Sequence, residues 1–284
     1  MEIKRIAVVG CGTMGGGIVQ TAARFGFETV GIETSSAAAS AAQQRIEAGL
    51  RATADRGKIN EAELSEALQR ISITTDFSAV ADADLVIEAV FEDVELKKKV
   101  LRDIDALVAP GAYIASNTST IPLVVLAAAT KRPESVVGFH FFNPVPSMKL
   151  VEVIKTPVTD ADNVAVLVDF AKALGKSPVI VNDVPGFIGN LLIVPYLVDA
   201  IRAFERGVAD MESIDDVIKL GFNHPMGPFA LSDLIGLDIV HDMAASMYEE
   251  YKDPRYQPPT LLKQYVRLGW LGRKTGRGFY TYSS

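Results

Sequence analysis

The chain has a single cysteine, Cys11, so no internal disulfide can form, and that scarcity fits a reducing cytoplasm rather than a disulfide-stapled secreted domain. It also lacks long apolar runs. The longest, residues 191–198, contains Pro195 and Tyr196 and falls well short of a membrane span. The apolar stretch ahead of Gly10 is too short and wrongly flanked for a signal peptide, so a soluble protein is expected. Cationic excess is missing as well. With 28 Lys and Arg against 35 Asp and Glu, the net charge of -7 leaves no broad basic face for nucleic acid or anionic lipid. An anionic ligand would have to be met locally. No metal is assigned.

What is present is a core. Over 284 residues, 49% are hydrophobic, enough for one large domain or two ordinary ones. Short β-rich runs at residues 5–10, 29–32, 71–74, 85–89, 112–115 and 136–139 alternate with helical stretches. That alternation predicts a Rossmann-like α/β fold with a mostly parallel, doubly wound sheet, and near-continuous apolarity fits strands covered on both faces. Two further strand-like runs, 149–154 and 178–181, extend the sheet. A polar helical stretch, 36–69, is interrupted at Arg56-Gly57-Lys58 and predicts a helical hairpin protruding from the sheet. After Pro185-Gly186 the pattern turns helical, at 190–206, 213–220 and 230–251. Residues 1–184 are therefore expected to form the dinucleotide-binding domain. Residues 185–284 should form an all-α substrate and dimerisation domain, about 100 residues being small for a self-sufficient core.

Gly10-Cys11-Gly12-Thr13-Met14-Gly15 matches G-x-G-x-x-G directly after a strand and at the opening of a helix, the context that the motif requires. Gly10 permits the sharp turn, Gly12 lets a pyrophosphate approach the backbone, and Gly15 lets helix and strand pack closely. Glu33, 18 positions beyond Gly15 at the end of the second strand, can accept from adenosine ribose hydroxyls. No Lys or Arg occurs from Thr34 through Gln44, so a 2′-phosphate would meet an unopposed carboxylate. NAD is the expected cofactor. Cys11, with no histidine near it in sequence, reads as a packing residue.

Histidine is scarce too: His140, His224 and His241 are the three. A dehydrogenase acting on an alcohol needs a group to take the hydroxyl proton, and imidazole titrates in the useful range. His140 follows the sixth predicted strand, where open α/β sheets place their ligands. Twelve residues on, Glu152 interrupts the apolar run Leu150-Val151-Glu152-Val153-Ile154, and a buried carboxylate there would orient the imidazole. Spacing alone leaves equally open an exposed Glu152 and a core His140.

The segment Gly138-Phe139-His140-Phe141-Phe142-Asn143-Pro144-Val145-Pro146, with Met148-Lys149-Leu150-Val151-Glu152-Val153-Ile154, resembles the signature of the short-chain L-3-hydroxyacyl-CoA dehydrogenases. Ile87-Glu88-Ala89-Val90-Phe91-Glu92, Ala115-Ser116-Asn117-Thr118-Ser119, Pro225-Met226-Gly227-Pro228 and Lys274-Thr275-Gly276-Arg277-Gly278-Phe279-Tyr280 carry the resemblance along nearly the whole chain. The resemblance implies NAD-linked interconversion of (S)-3-hydroxyacyl-CoA and 3-oxoacyl-CoA, with a short acyl group and a cleft site between the domains. It puts the catalytic pair on His140 and Glu152, a serine near the substrate oxygen on Ser119, and an asparagine on Asn190. Nicotinamide-side residues map to Glu92, Lys97 and Asn117. Coenzyme A phosphates are directed to Arg51, Arg56 and Lys58 on the hairpin. The resemblance further implies a homodimer, working in fatty acid or butanoate metabolism. Two other readings stay open: a free hydroxy-acid or sugar-acid dehydrogenase, and a catalytically silent NADH-binding structural protein.

Overall fold

The computed structural model describes residues 3–282 and divides into two compact units, Met1–Val184 and Pro185–Ser284. In the first unit the order is β1 (Arg5–Val9), α1 (Thr13–Arg24), β2 (Glu28–Ile32), α2 (Ser36–Asp55), α3 (Glu61–Gln69), β3 (Ile71–Thr74) and β4 (Leu85–Glu88). There follow α4 (Val94–Leu107), β5 (Tyr113–Ser116), α5 (Leu123–Ala127), β6 (Val136–Phe141), β7 (Leu150–Lys155), α6 (Ala161–Ala173) and β8 (Ser177–Asn182). Eight strands make one sheet in the order β3-β2-β1-β4-β5-β6-β7-β8. From β3 to β6 every pairing is parallel, so the carboxyl ends of six strands share one edge.

β7 breaks that pattern by pairing antiparallel to β6, and β8 then runs parallel to β7. Physical reach explains the reversal: the short connection from β6 to β7 cannot make the crossover of a dozen or more residues that a parallel neighbour needs. The antiparallel register sets His140 directly opposite Glu152. β6 also runs further than the sequence suggests, to Phe141, so His140 is a strand residue rather than the residue after the strand.

An apolar cluster of the unit runs from Ile6 and Val8 on β1 through Ile18 and Val19 on α1 to Phe139, Phe141 and Phe170, and Val86, Leu101, Ile104 and Ile114 are fully buried outside it. The hairpin α2–α3 joins it through Ile46, Leu50 and Leu64, lying on α1 and the edge strand β3. Its helices start where capping chemistry allows. Ser35 accepts from Ala38 N, and Asn60 with Glu63 forms a reciprocal capping box, each cap contributing about 1 kcal/mol.

The second unit is helical: α7 (Gly189–Glu205), α8 (Met211–Asp216) running into a π-helical turn (Val217–Gly221), α9 (Pro228–Ile235), α10 (Leu237–Tyr251) and α11 (Thr260–Arg267). The single helix expected over 230–251 is in fact two, because Gly236 adopts φ +108°, a conformation that a helix cannot contain. Phe229, Leu237, Leu262 and Phe279 share a core with Leu197 and Ile201 of α7. Among the described residues, no helix is long and apolar enough to cross a membrane.

Candidate active site

Gly10 follows β1 at φ +88°, and a Cβ there would come within 2.9 Å of Ala89 O. A Cβ on Gly15 would sit 1.8 Å from Gly10 O, so only glycine lets α1 start so close to the loop. At Gly12, by contrast, a Cβ would meet nothing within 4 Å: the backbone faces open space where a pyrophosphate would lie. Thr13 and Met14 begin α1, with its amide groups directed toward that space. Glu33, just past β2, accepts from Cys11 N at 2.8 Å, which holds its carboxylate beside the glycine loop. These residues fit a dinucleotide. Cys11 is fully buried, and burial, with Glu33 nearby, pushes its thiol up to about 12, so it packs rather than reacts.

The next carboxyl end carries a buried charge network that the sequence reading did not identify. Glu88, last residue of β4, accepts from Lys97 Nζ at 2.7 Å, Ser116 Oγ at 2.6 Å and Val90 N at 2.8 Å. Lys97 is buried and also reaches Glu92 at 3.3 Å. Glu92 in turn accepts from Thr118 Oγ1 at 2.7 Å, Ser119 N at 2.8 Å and Thr120 N at 2.9 Å, shaping the loop after β5. Burial alone would raise the Glu92 carboxyl, yet Lys97 and these donors hold it at about 2. Asn117 extends the ladder beyond β5 by accepting from Phe141 N at 2.9 Å, which fixes the backbone next to His140.

At the end of β6, His140 Nδ1 lies 2.7 Å from Glu152 Oε2, both side chains buried, with Phe142 stacked at a tilt 4.8 Å from the imidazole. A carboxylate only accepts, so it selects the tautomer with hydrogen on Nδ1 and makes Nε2 the basic atom. The β6–β7 connection is braced from two sides. A Cβ on Gly17 of α1 would touch Val145, and Lys176 donates to the carbonyls of Val145 and Met148, the latter at 2.8 Å. Sequence offered no sign of Lys176: nothing in Leu174-Gly175-Lys176 separates a buried ammonium from an exposed one.

The first unit thus brings Gly10, Gly12, Gly15, Glu33, Glu92, Lys97, Asn117, Ser119, His140 and Glu152 to one edge of one sheet. Asn190 is buried in the first turn of α7, in the second unit. Arg51, Arg56 and Lys58 are exposed near the tip of the α2–α3 hairpin, joined by Arg24, which donates to Lys58 O at 3.3 Å. His224 and His241 belong to the helical unit.

A glycine loop on a parallel sheet, an acid after β2 and a buried His–Glu pair define a dinucleotide-dependent oxidoreductase. Comparison narrows the class. Residues 5–184 match the model of the 3-hydroxyacyl-CoA dehydrogenase NAD binding domain, and 186–282 that of the 3-hydroxyacyl-CoA dehydrogenase C-terminal domain. A 3-hydroxybutyryl-CoA dehydrogenase of Mycobacterium tuberculosis is 47% identical over 282 residues, 99% of each chain. Crystal structures of M. tuberculosis FadB2 (46% identity, TM-score 0.97) and of (S)-3-hydroxybutyryl-CoA dehydrogenase PaaH1 from Ralstonia eutropha (41%, TM-score 0.94) match over 100% of both chains. The chain belongs to the 3-hydroxyacyl-CoA dehydrogenase family, and it is an NAD-dependent enzyme.

Proposed function

We propose that the enzyme interconverts (S)-3-hydroxybutyryl-CoA and acetoacetyl-CoA, with His140 as the proton-transfer group. The observation that carries this reading is the 2.7 Å contact between His140 Nδ1 and Glu152 Oε2, buried at the carboxyl end of β6. NAD, when bound, supplies the hydride acceptor for oxidation and, as NADH, the donor for reduction. His140 Nε2 takes the proton of the 3-hydroxyl during oxidation and returns one during reduction. Glu152 holds the ring in the competent tautomer and stabilises the imidazolium. Ser119 donates to the 3-oxygen. Asn190, on family resemblance alone, is assigned an amide donor role toward the substrate. Glu92, Lys97 and Asn117 shape the nicotinamide side. Arg51, Arg56 and Lys58 are assigned to the coenzyme A phosphates, whose charge an acidic protein must meet locally. The short acyl group follows the named activity of the relatives.

The test follows NADH absorbance with acetoacetyl-CoA, using NADPH and free acetoacetate as controls. Rapid oxidation is expected only with NADH and the thioester. His140→Gln should lower turnover by about a hundredfold or more with NADH affinity retained. Unchanged turnover would remove His140 from this role.

The single buried cysteine supports assignment to the cytoplasm. The helical unit also self-associates in this reading: Val217, Leu220 and Phe222, more than half exposed along one short segment, form an apolar strip. Light scattering should report a dimer for the wild type and a monomer for Leu220→Glu/Phe222→Glu; a monomeric wild type would refute self-association.

A further inference from the structure

The absence of a cation between Thr34 and Gln44 made Glu33 look unopposed, but the placement of α2 changes this. α2 runs beside α1 in the same direction: a Cβ on Gly16 would lie 3.6 Å from Ile46, and one on Gly49 would meet Gln20. Residue 45 is therefore level with the start of α1, although it is well along its own helix. Arg45 Nη2 donates to Cys11 O at 2.7 Å, while Glu33 Oε1 accepts from Cys11 N at 2.8 Å. Side chains of opposite charge thus hold two atoms of one residue in the phosphate-binding loop. Arg45 is exposed, and among the described residues no carboxylate lies within ion-pair distance of it. Its guanidinium has five N–H donors, so the bond to Cys11 O leaves capacity for another acceptor.

We infer that Arg45 is a second determinant of cofactor choice, opposing Glu33: it offsets the carboxylate at the adenosine ribose and pairs with a ribose 2′-phosphate once Glu33 is neutral. A planar guanidinium suits a phosphate better than it suits a lone carbonyl, because the fork can donate twice to adjacent oxygens. Exclusion of NADP is then the work of Glu33, and Arg45 moderates it. The inference rests on the NAD site described above.

Calorimetric titration of the full-length protein with NAD⁺ and NADP⁺ tests it, by the ratio of the two dissociation constants. Glu33→Ser should shift the ratio toward NADP⁺ by about tenfold or more, and Glu33→Ser/Arg45→Met should reverse most of that shift. Glu33→Ser/Arg45→Lys, which keeps the charge, should keep a good part of it. In the wild-type background Arg45→Met should move the ratio further toward NAD⁺, by about twofold or more, because Glu33 then acts unmoderated. Equal weakening of both nucleotides by Arg45→Met would make Arg45 a brace of the loop and overturn the inference. So would a Glu33→Ser protein that gains no NADP⁺ affinity, or a double variant that keeps the whole gain. Failure of the wild type to bind NAD⁺ would instead strike at the NAD site itself. Circular dichroism confirms that each variant is folded.

Discussion

Each unit buries carboxylates, but they meet different partners. In the sheet unit, Glu88 and Glu152 face basic side chains, Lys97 and His140, each at 2.7 Å. In the helical unit, Asp215 accepts from Phe229 N, Ala230 N and Tyr280 Oη, and Asp233 from Phe279 N, Tyr280 N and Tyr282 Oη. The partner identifies the task. An acid set against a base balances a charge or steers a proton, whereas one set against backbone N–H groups ties two chain segments together. Asp215 holds α8 to the start of α9, and Asp233 holds α9 to the residues after Gly278. The tyrosines keep their protons: burial, with the Asp233 hydrogen bond, pushes Tyr282 up to about 12, and burial, with Asp215 close by, takes Tyr280 higher still.

Single and paired substitutions sharpen this contrast. Lys97→Met leaves Glu88 charged and buried with only Ser116 and Val90 N beside it, a loss of about 3–5 kcal/mol in urea unfolding. Adding Glu88→Gln should recover a good part of that, because it removes the charge that lost its partner. Asp233→Ala should cost less, about 2–3 kcal/mol, by stranding Phe279 N, Tyr280 N and Tyr282 Oη. No side-chain replacement can rescue it fully, since two of its partners are backbone groups, and NAD⁺ affinity should survive. If Lys97→Met/Glu88→Gln is no more stable than Lys97→Met, the two kinds of buried acid do not differ in the way described.

The same contrast decides what could be read in advance. An ionisable residue inside an apolar strand is a visible signal: it marked Glu152, twelve residues after His140, as the candidate partner, and the antiparallel register sets the two opposite each other. Leu85-Val86-Ile87-Glu88 gives the same signal, but the partner of Glu88 is one of three consecutive lysines, 97–99, on amphipathic α4. No spacing rule separates the buried lysine from its exposed neighbours. Asp215 was illegible for a related reason: an acid on the polar helix α8 looks like a solvated face until the packing of a distant segment covers it, whereas Asp233 interrupts the mostly apolar α9 and its partners lie more than forty residues away in sequence. The alternation of elements, the glycine loop and Glu33 were legible because each depends on local backbone chemistry. The reversal at β7 could have been read from loop length, and the break at Gly236 from an isolated glycine in a helical pattern. Arg45 is one residue past the cation-free stretch 34–44, and only the alignment of α2 with α1 gives it meaning.

Glu92 sits between the two kinds of acid, because it takes fixed donors from the 118–120 loop and also faces Lys97. Its carboxyl lies at about 2 against an ordinary 4.5, so the stability linked to its charge is complete above pH 4.5 and disappears as pH falls toward 2. Glu92→Gln should therefore be less stable than wild type near neutrality, by the smallest margin of these variants, since a third of the side chain remains in solvent. The difference in urea midpoint between the two proteins should shrink steadily between pH 4.5 and about 2. A difference that stays constant across that window would mean that the hydrogen-bond geometry of the 118–120 loop, and not the charge facing Lys97, is what Glu92 contributes.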